Sequence, residues 1–156
     1  MAEEEIPPEF RSAIAELLFQ SQSIEWLLRV ILSDINEAAD DWVRTRAFRF
    51  KTRVDDLTNV PLGNLVKLYA FHSETDWLVK RLRQFVKVRN YMAHVAFIWV
   101  SINKERLEDI TSALRKTNEN IVEAKRLVEA LTKESMRTYE LKTGRPISAA
   151  PVDIRP

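Results

Sequence analysis

The scarcity of chain-breaking residues restricts the fold of this sequence more than any other feature. Among 156 residues the only glycines are Gly63 and Gly144, and Pro61 is the only proline between Pro8 and Pro146. A β-rich fold needs many turns, and glycine and proline supply most turn conformations. The sequence therefore predicts an all-α protein. It also lacks the glycine-rich loops with which many folds bind phosphate groups.

Two long stretches carry apolar residues at alternating spacings of three and four, the pattern of an amphipathic helix. We predict one helix over residues 8–36 and another from a cap at Asn103 to about Lys142, ended by Gly144. Shorter helices are predicted between them, over about 40–57, 64–71 and 74–99. The predicted fold is an antiparallel helical bundle of four to five helices with a long C-terminal helix.

The last predicted helix is long for a bundle of this size. About 40 helical residues extend over roughly 60 Å, so we expect its end to protrude or to pack on a partner. No internal repeat or domain boundary is visible, which predicts a single domain over residues 1–142. The polar, proline-containing residues 143–156 predict a disordered tail. Ser73 and Asp76 resemble a capping box at the start of the 74–99 helix.

Composition excludes several classes of site. The formal net charge is +1, so nucleic-acid binding has to be argued from local clusters rather than overall charge. There are no cysteines and two histidines far apart in sequence, which argues against a zinc site or a thiol nucleophile. We predict no metal and no cofactor. No segment resembles a signal peptide or a membrane span, so the simplest expectation is a cytoplasmic protein.

Arg89 is the most anomalous residue of the chain. On the helix predicted over residues 74–99, apolar residues recur at spacings of four and three, and Arg89 stands where this pattern requires an apolar residue. A buried guanidinium costs several kcal/mol unless it is paired or reaches water. One explanation is a polar network in the core, in which Arg89 pairs with a carboxylate such as Glu25 and His94 hydrogen-bonds a backbone carbonyl.

The other explanation is a functional site. The segment RNYMAH, residues 89–94, resembles the motif of the HEPN superfamily, in which four to six residues separate an arginine, often followed by an asparagine, from a histidine. HEPN domains are small helical bundles that carry this motif on a late core helix. Residues 61–69, PLGNLVKLY, also resemble the short segment that precedes that helix in some members.

The resemblance implies metal-independent RNA cleavage by a homodimer, with Arg89, Asn90 and His94 as catalytic residues. A histidine with a pKa near 6.5 can deprotonate the RNA 2′-hydroxyl or protonate the leaving oxygen. An arginine suits the negative charge that builds up on the phosphate. The protein would be a toxin or defence effector, with an antitoxin or regulatory protein as a further partner. Ala96 stands where some HEPN toxins carry a modified tyrosine, which makes control by a nucleotidyltransferase antitoxin doubtful.

Local basic clusters support RNA as the partner. Residues 80–89 contain five basic side chains, of which Lys80, Arg81, Arg83 and Lys87 are candidate RNA-binding residues. A second cluster spans residues 44–53, with phenylalanines between the basic residues, and its simpler interpretation is a solvated helix face.

The alternative function is a non-catalytic helical module for dimerisation or regulatory interaction with a HEPN-like fold. The overlong last helix and the uniform apolar stripes motivate it, with the long helix as the partner-binding element. Under this alternative, substitutions of Arg89 and His94 change stability or partner binding rather than chemistry.

Overall fold

The computed structural model describes residues 7–43, 54–93 and 107–144, and within these ranges all regular structure is helical. This confirms the prediction of an all-α bundle with a long C-terminal helix. The elements are α1 (Pro8–Val43), a 3₁₀ turn (Val54–Leu57), α2 (Leu62–His72), α3 (Asp76–Tyr91) and α4 (Leu107–Thr143).

The first and last helices form the most extensive interface and run in the same direction. Lys125 of α4 binds Glu16 of α1, and Lys142, further along α4, binds Asp34, further along α1. Both helices are about 55 Å long at 1.5 Å per residue. Within the described residues the end of α4 does not protrude, because α1 is long enough to cover it, and the packing of this end on a partner stays a prediction.

The two shorter helices form an antiparallel hairpin beside this pair. Gly63 at the start of α2 lies against Val86 near the end of α3. Ala70 near the end of α2 shares a groove with Val79 in the first half of α3. Because the start of α2 meets the end of α3, the hairpin brings residues 58–64 next to Arg89.

The core follows the predicted apolar stripes. On α1 the stripe residues Phe10, Leu17, Leu28 and Ile31 are buried against the rest of the bundle. On α4 the buried positions continue almost to its end, where Thr138 is buried as well. Burying a leucine or isoleucine side chain stabilises the fold by about 1.5–3 kcal/mol, so these stripes account for the pairing of α1 with α4.

The predicted break between residues 36 and 40 is wrong, since α1 continues without interruption to Val43. No glycine or proline lies between Glu9 and Val60, so nothing in the chain forces a break there. A helix over 40–57 is therefore wrong at its start, residues 44–53 lie outside the described residues, and residues 54–57 form the 3₁₀ turn. The expected cap at Asn103 and the tail beyond Gly144 also lie outside the described residues.

The predicted capping box is wrong as well. Helix α3 begins at Asp76 with Thr75 at its N-cap, and Thr75 makes no side-chain capping bond. Instead the Thr75 backbone N–H donates to the Ser73 hydroxyl at 3.1 Å, because a serine side chain can form a tight local turn in place of a cap. The predicted end of α4 is confirmed: Gly144 has a φ of 63° and donates its N–H to the carbonyl of Glu140.

Candidate functional site

Arg89 lies in the last turn of α3, on the face that otherwise buries Leu82 and Phe85. Its side chain is 33% exposed, and its Nη2 lies 3.6 Å from Oε1 of Glu25 on α1. Its Nη1 donates to Oδ1 of Asn90 at 3.4 Å. The expected contact between Arg89 and Glu25 is thus present in the structure. The guanidinium reaches from the apolar face of α3 to a polar edge.

A second arginine completes the cluster. Arg29, one turn after Glu25 on α1, places its Nη2 3.3 Å from Oε2 of the same carboxylate. Its Nε donates to the carbonyl of Leu57 at 3.0 Å, and its Nη2 also donates to the carbonyl of Val60 at 3.5 Å. Arg29 therefore fixes the segment that leads into α2, and Glu25 joins it to Arg89.

These groups line one cavity of about 360 Å³. Its lining includes the charged side chains Glu25, Arg29 and Arg89 and the amides of Asn64 and Asn90. Two guanidinium groups and one carboxylate give the cluster a net positive charge, and the asparagine amides add both donors and acceptors. A cavity of this size and polarity suits an anionic polar group such as a phosphate with part of its nucleotide.

The motif helix changes geometry directly after Arg89 and Asn90. Helix α3 is α-helical to Tyr91, and a π-type turn follows at Met92 and Ala93. Such turns are frequent at functional sites. His94 itself lies outside the described residues.

The predicted RNA-binding residues lie on two different faces of α3. Lys80, Arg83 and Lys87 line one groove between α2 and α3, with a volume of about 430 Å³. Arg81 faces α4, where its Nε lies 3.6 Å from Glu123 and its guanidinium stacks 5.6 Å from the ring centre of Trp77. The structure thus brings three of the four residues together and separates the fourth.

Arg29 and the segment 58–64 were not predicted from the sequence as parts of the site. One signal existed for Arg29, since Glu25 and Arg29 stand four residues apart, the spacing of a helical ion pair. No comparable signal exists for the segment 58–64, because its approach to Arg89 depends on how α2 packs against α3. The second basic cluster, residues 44–53, lies outside the described residues.

The described ranges contain no cluster of three or more histidine or acidic side chains placed to hold a metal ion. Nor does any helix in these ranges have the length and apolar character needed to cross a membrane.

Comparison of the chain with models of protein families, with curated proteins and with solved structures finds no match in any of the three. The function has to be argued from the cluster around Arg89 and from the motif that contains it.

Proposed function

We propose that this protein is a metal-independent endoribonuclease of the HEPN type, acting in the cytoplasm as a homodimer and as a toxin or defence effector. Arg89, Asn90 and His94 are its catalytic residues. An antitoxin or regulatory protein would then be a further partner that holds the activity in check.

The proposed chemistry is transesterification by the RNA itself. The 2′-hydroxyl attacks the adjacent phosphorus, the 5′-oxygen of the next nucleotide leaves, and a 2′,3′-cyclic phosphate remains. His94 takes the hydroxyl proton or protonates the leaving oxygen, and the partner subunit's copy of the motif supplies the complementary group. Arg89 binds the phosphate oxygens as their negative charge increases.

The observation that carries the proposal is the setting of Arg89 and Asn90. Both side chains line the same positively charged cavity, although the position of Arg89 on α3 belongs to the apolar stripe. A charged residue retained at such a position costs stability, and functional sites are where proteins accept such costs. The groove of Lys80, Arg83 and Lys87 lies on the same helix and would hold the RNA phosphates leading to the cavity.

The decisive experiment is cleavage of a mixed RNA substrate in the presence of EDTA. We expect the wild-type protein to cleave and His94→Ala to lose at least about 10²-fold in rate, the contribution typical of a general acid or base. His72→Ala is the matched control, because His72 is exposed at the end of α2 and plays no part in the proposal.

Two results would contradict the proposal. Intact RNA after incubation with a folded, dimeric wild-type protein would count against catalysis. Equal cleavage by wild type and His94→Ala would assign the activity to a contaminant or to another part of the chain. Because EDTA is present throughout, cleavage by wild type alone also excludes a metal-dependent mechanism.

The alternative is a non-catalytic interaction module, and an exposed apolar strip on α1 favours it. Phe19 and Trp26 are 60% and 59% exposed and stand seven residues apart on the same face. Trp26 also lines a shallow groove with Leu27. The apolar stripe of α4 is buried within the chain, so partner binding through that stripe is not supported.

The alternative is tested by sedimentation of wild type and Trp26→Ser at several concentrations. If the strip forms a dimer contact, the substitution shifts the protein to monomer while its helical content remains. An unchanged oligomeric state would remove the support that this strip gives to the alternative.

A further inference from the structure

Glu25 stands between two arginines and divides its carboxylate oxygens between them. Oε1 faces Nη2 of Arg89 at 3.6 Å, and Oε2 faces Nη2 of Arg29 at 3.3 Å. The Glu25 side chain is only 16% exposed, so water compensates little of its charge. The two arginines together hold this carboxylate in place.

The two arginines are held to very different degrees. Arg29 donates to the carbonyls of Leu57 and Val60 in addition to Glu25, so its guanidinium is fixed from three sides. Arg89 contacts Glu25 at a distance longer than an ordinary hydrogen bond, and its one hydrogen bond among the described residues is a long one of 3.4 Å from Nη1 to Oδ1 of the adjacent Asn90. Its Nε is buried and has no hydrogen-bond partner among the described residues. Arg89 is therefore the less restrained of the two arginines and the one that can turn towards a ligand.

We propose that Glu25 competes with the RNA phosphate for Arg89, and that Arg29 is a positioning residue that allows Arg89 to exchange one for the other. When Arg89 turns to a phosphate, Glu25 keeps Arg29 as its counter-ion. Without Arg29, the same movement would leave a shielded carboxylate unpaired, which is costly. The inference rests on the proposed function only in naming RNA as the source of the phosphate.

This arrangement predicts opposite effects for two neighbouring residues. Glu25→Gln removes the competitor and should strengthen phosphate binding by about fivefold, equivalent to about 1 kcal/mol. Arg29→Gln ties Glu25 to Arg89 and should weaken binding by a similar factor. Arg29→Lys keeps the positive charge beside Glu25 and should bind nearly as well as wild type.

The test is fluorescence anisotropy with a labelled 2′-O-methyl RNA oligonucleotide, which offers phosphates but no free 2′-hydroxyl and cannot be cleaved by the proposed chemistry. Each substitution is also measured in an Arg89→Met background. If Glu25 and Arg29 act through Arg89, both effects disappear in that background, as expected for coupled residues. If they act only as distant charges, both effects persist there, and the inference is wrong.

Arg115→Gln is the matched control for loss of a positive charge, because Arg115 lies on the exposed surface of α4 in a pair with Glu119. It should change binding far less than Arg29→Gln. If Arg29→Gln does not fold, the Glu25→Gln and Arg29→Lys measurements still decide. Weaker binding by Glu25→Gln would overturn the inference.

Cleavage of ordinary RNA by the same variants separates this inference from the proposed function. If wild type does not cleave RNA but the two substitutions have opposite effects on binding that require Arg89, the inference about the phosphate site is supported and the proposed ribonuclease activity is contradicted. If wild type cleaves RNA but Glu25→Gln and Arg29→Gln shift the affinity in the same direction, the ribonuclease activity is supported and the inference about Glu25 and Arg29 is contradicted.

Discussion

Arg89 carries its charge on a helix face that otherwise presents leucine and phenylalanine to the core. The sequence was enough to single it out, because the apolar spacing of residues 78–99 is regular on both sides of it. The sequence also suggested Glu25 as its counter-ion, and the two side chains do meet. The third member, Arg29, was missed because its bonds to the Leu57 and Val60 carbonyls depend on a loop path that spacing does not encode.

Replacing Arg89 by methionine should separate function from stability. A methionine fits the apolar stripe, and Glu25 keeps Arg29 as its partner. We expect the free energy of unfolding to stay the same or to rise by up to about 1 kcal/mol, while RNA cleavage is abolished. Urea unfolding at pH 7 measures the first effect. A loss of more than about 2 kcal/mol would mean that Arg89 is mainly structural.

Tyr69 gives the chain a residue-specific response to alkaline pH. Burial raises the pKa of Tyr69 to about 12. In the unfolded chain a tyrosine titrates near pH 10, so the neutral side chain stabilises the fold fully below pH 10 and progressively less as the pH rises towards 12.

Between pH 9 and pH 12 the free energy of unfolding should therefore fall less for Tyr69→Phe than for wild type. The difference between the two decreases should be about 2 kcal/mol. Urea midpoints across this range provide the measurement. Tyr139→Phe is the control, since Tyr139 is half exposed on α4. Parallel curves for wild type and Tyr69→Phe would contradict the prediction.

At the scale of elements, periodicity predicted which helices exist better than where they begin and end. The α1 stripe was clear, yet the helix extends seven residues beyond the predicted end at residue 36, to Val43. Asp40 and Asp41 stand at the predicted start of the 40–57 helix, whereas they lie within the last turns of α1. Acidic residues at that end oppose the helix dipole, but no glycine or proline interrupts the chain there, so the helix continues past the boundary that these residues suggested.

The two faces of α3 lead to a prediction about RNA binding. Lys80, Arg83 and Lys87 share a groove, so replacing all three by glutamine should weaken binding of RNA regardless of its sequence. The dependence of log affinity on log salt should become shallower by about 0.7 for each phosphate of a single strand that the protein no longer neutralises.

Arg81→Gln is the control within the same helix. Its guanidinium already binds Glu123 and stacks on Trp77, so it contributes little to a groove on the other face. If Arg81→Gln weakens RNA binding as much as the triple substitution, the groove is not the RNA path.

At the scale of the whole molecule, the sequence predicted the two long helices but not their relation. An amphipathic pattern shows which face of a helix is buried, and it does not show which neighbour covers that face. The pairing of α1 and α4 in the same direction joins residues far apart in the chain, such as Glu16 and Lys125, and spacing along one helix does not predict such contacts. The hairpin that brings residues 58–64 to Arg89 was not predicted from the sequence for the same reason.

Lys142 fastens the end of α4 to α1. Its Nζ lies 3.0 Å from Oδ1 of Asp34, whose side chain is 9% exposed, and it also binds Glu37. Lys142→Met leaves the Asp34 carboxylate shielded and without this cation, so we expect a loss of about 1–3 kcal/mol in unfolding free energy. Lys133→Met, which breaks an exposed pair with Glu129, should cost less than about 0.5 kcal/mol.

The same ion pair has a pH signature. Hydrogen bonds to Glu37 and Asp34 raise the pKa of Lys142 above its usual value. Its stabilising contribution is thus complete below the unfolded-state pKa of about 10.4 and disappears as the pH rises through the folded-state value. Equal alkaline stability curves for wild type and Lys142→Met would show that the ion pair contributes nothing in solution.

The pairing of α1 with α4 also has a consequence for how fast the chain folds. Helical bundles usually fold quickly because most of their contacts are local, and folding slows as contacts connect more distant residues. Here the most extensive interface joins positions about 110 residues apart in the sequence. The α2–α3 hairpin closes a short loop and can form early, whereas α1 can meet α4 only after nearly the whole chain has been made. During translation, residues 1–106 would therefore have been synthesised before the two longest helices could begin to pair.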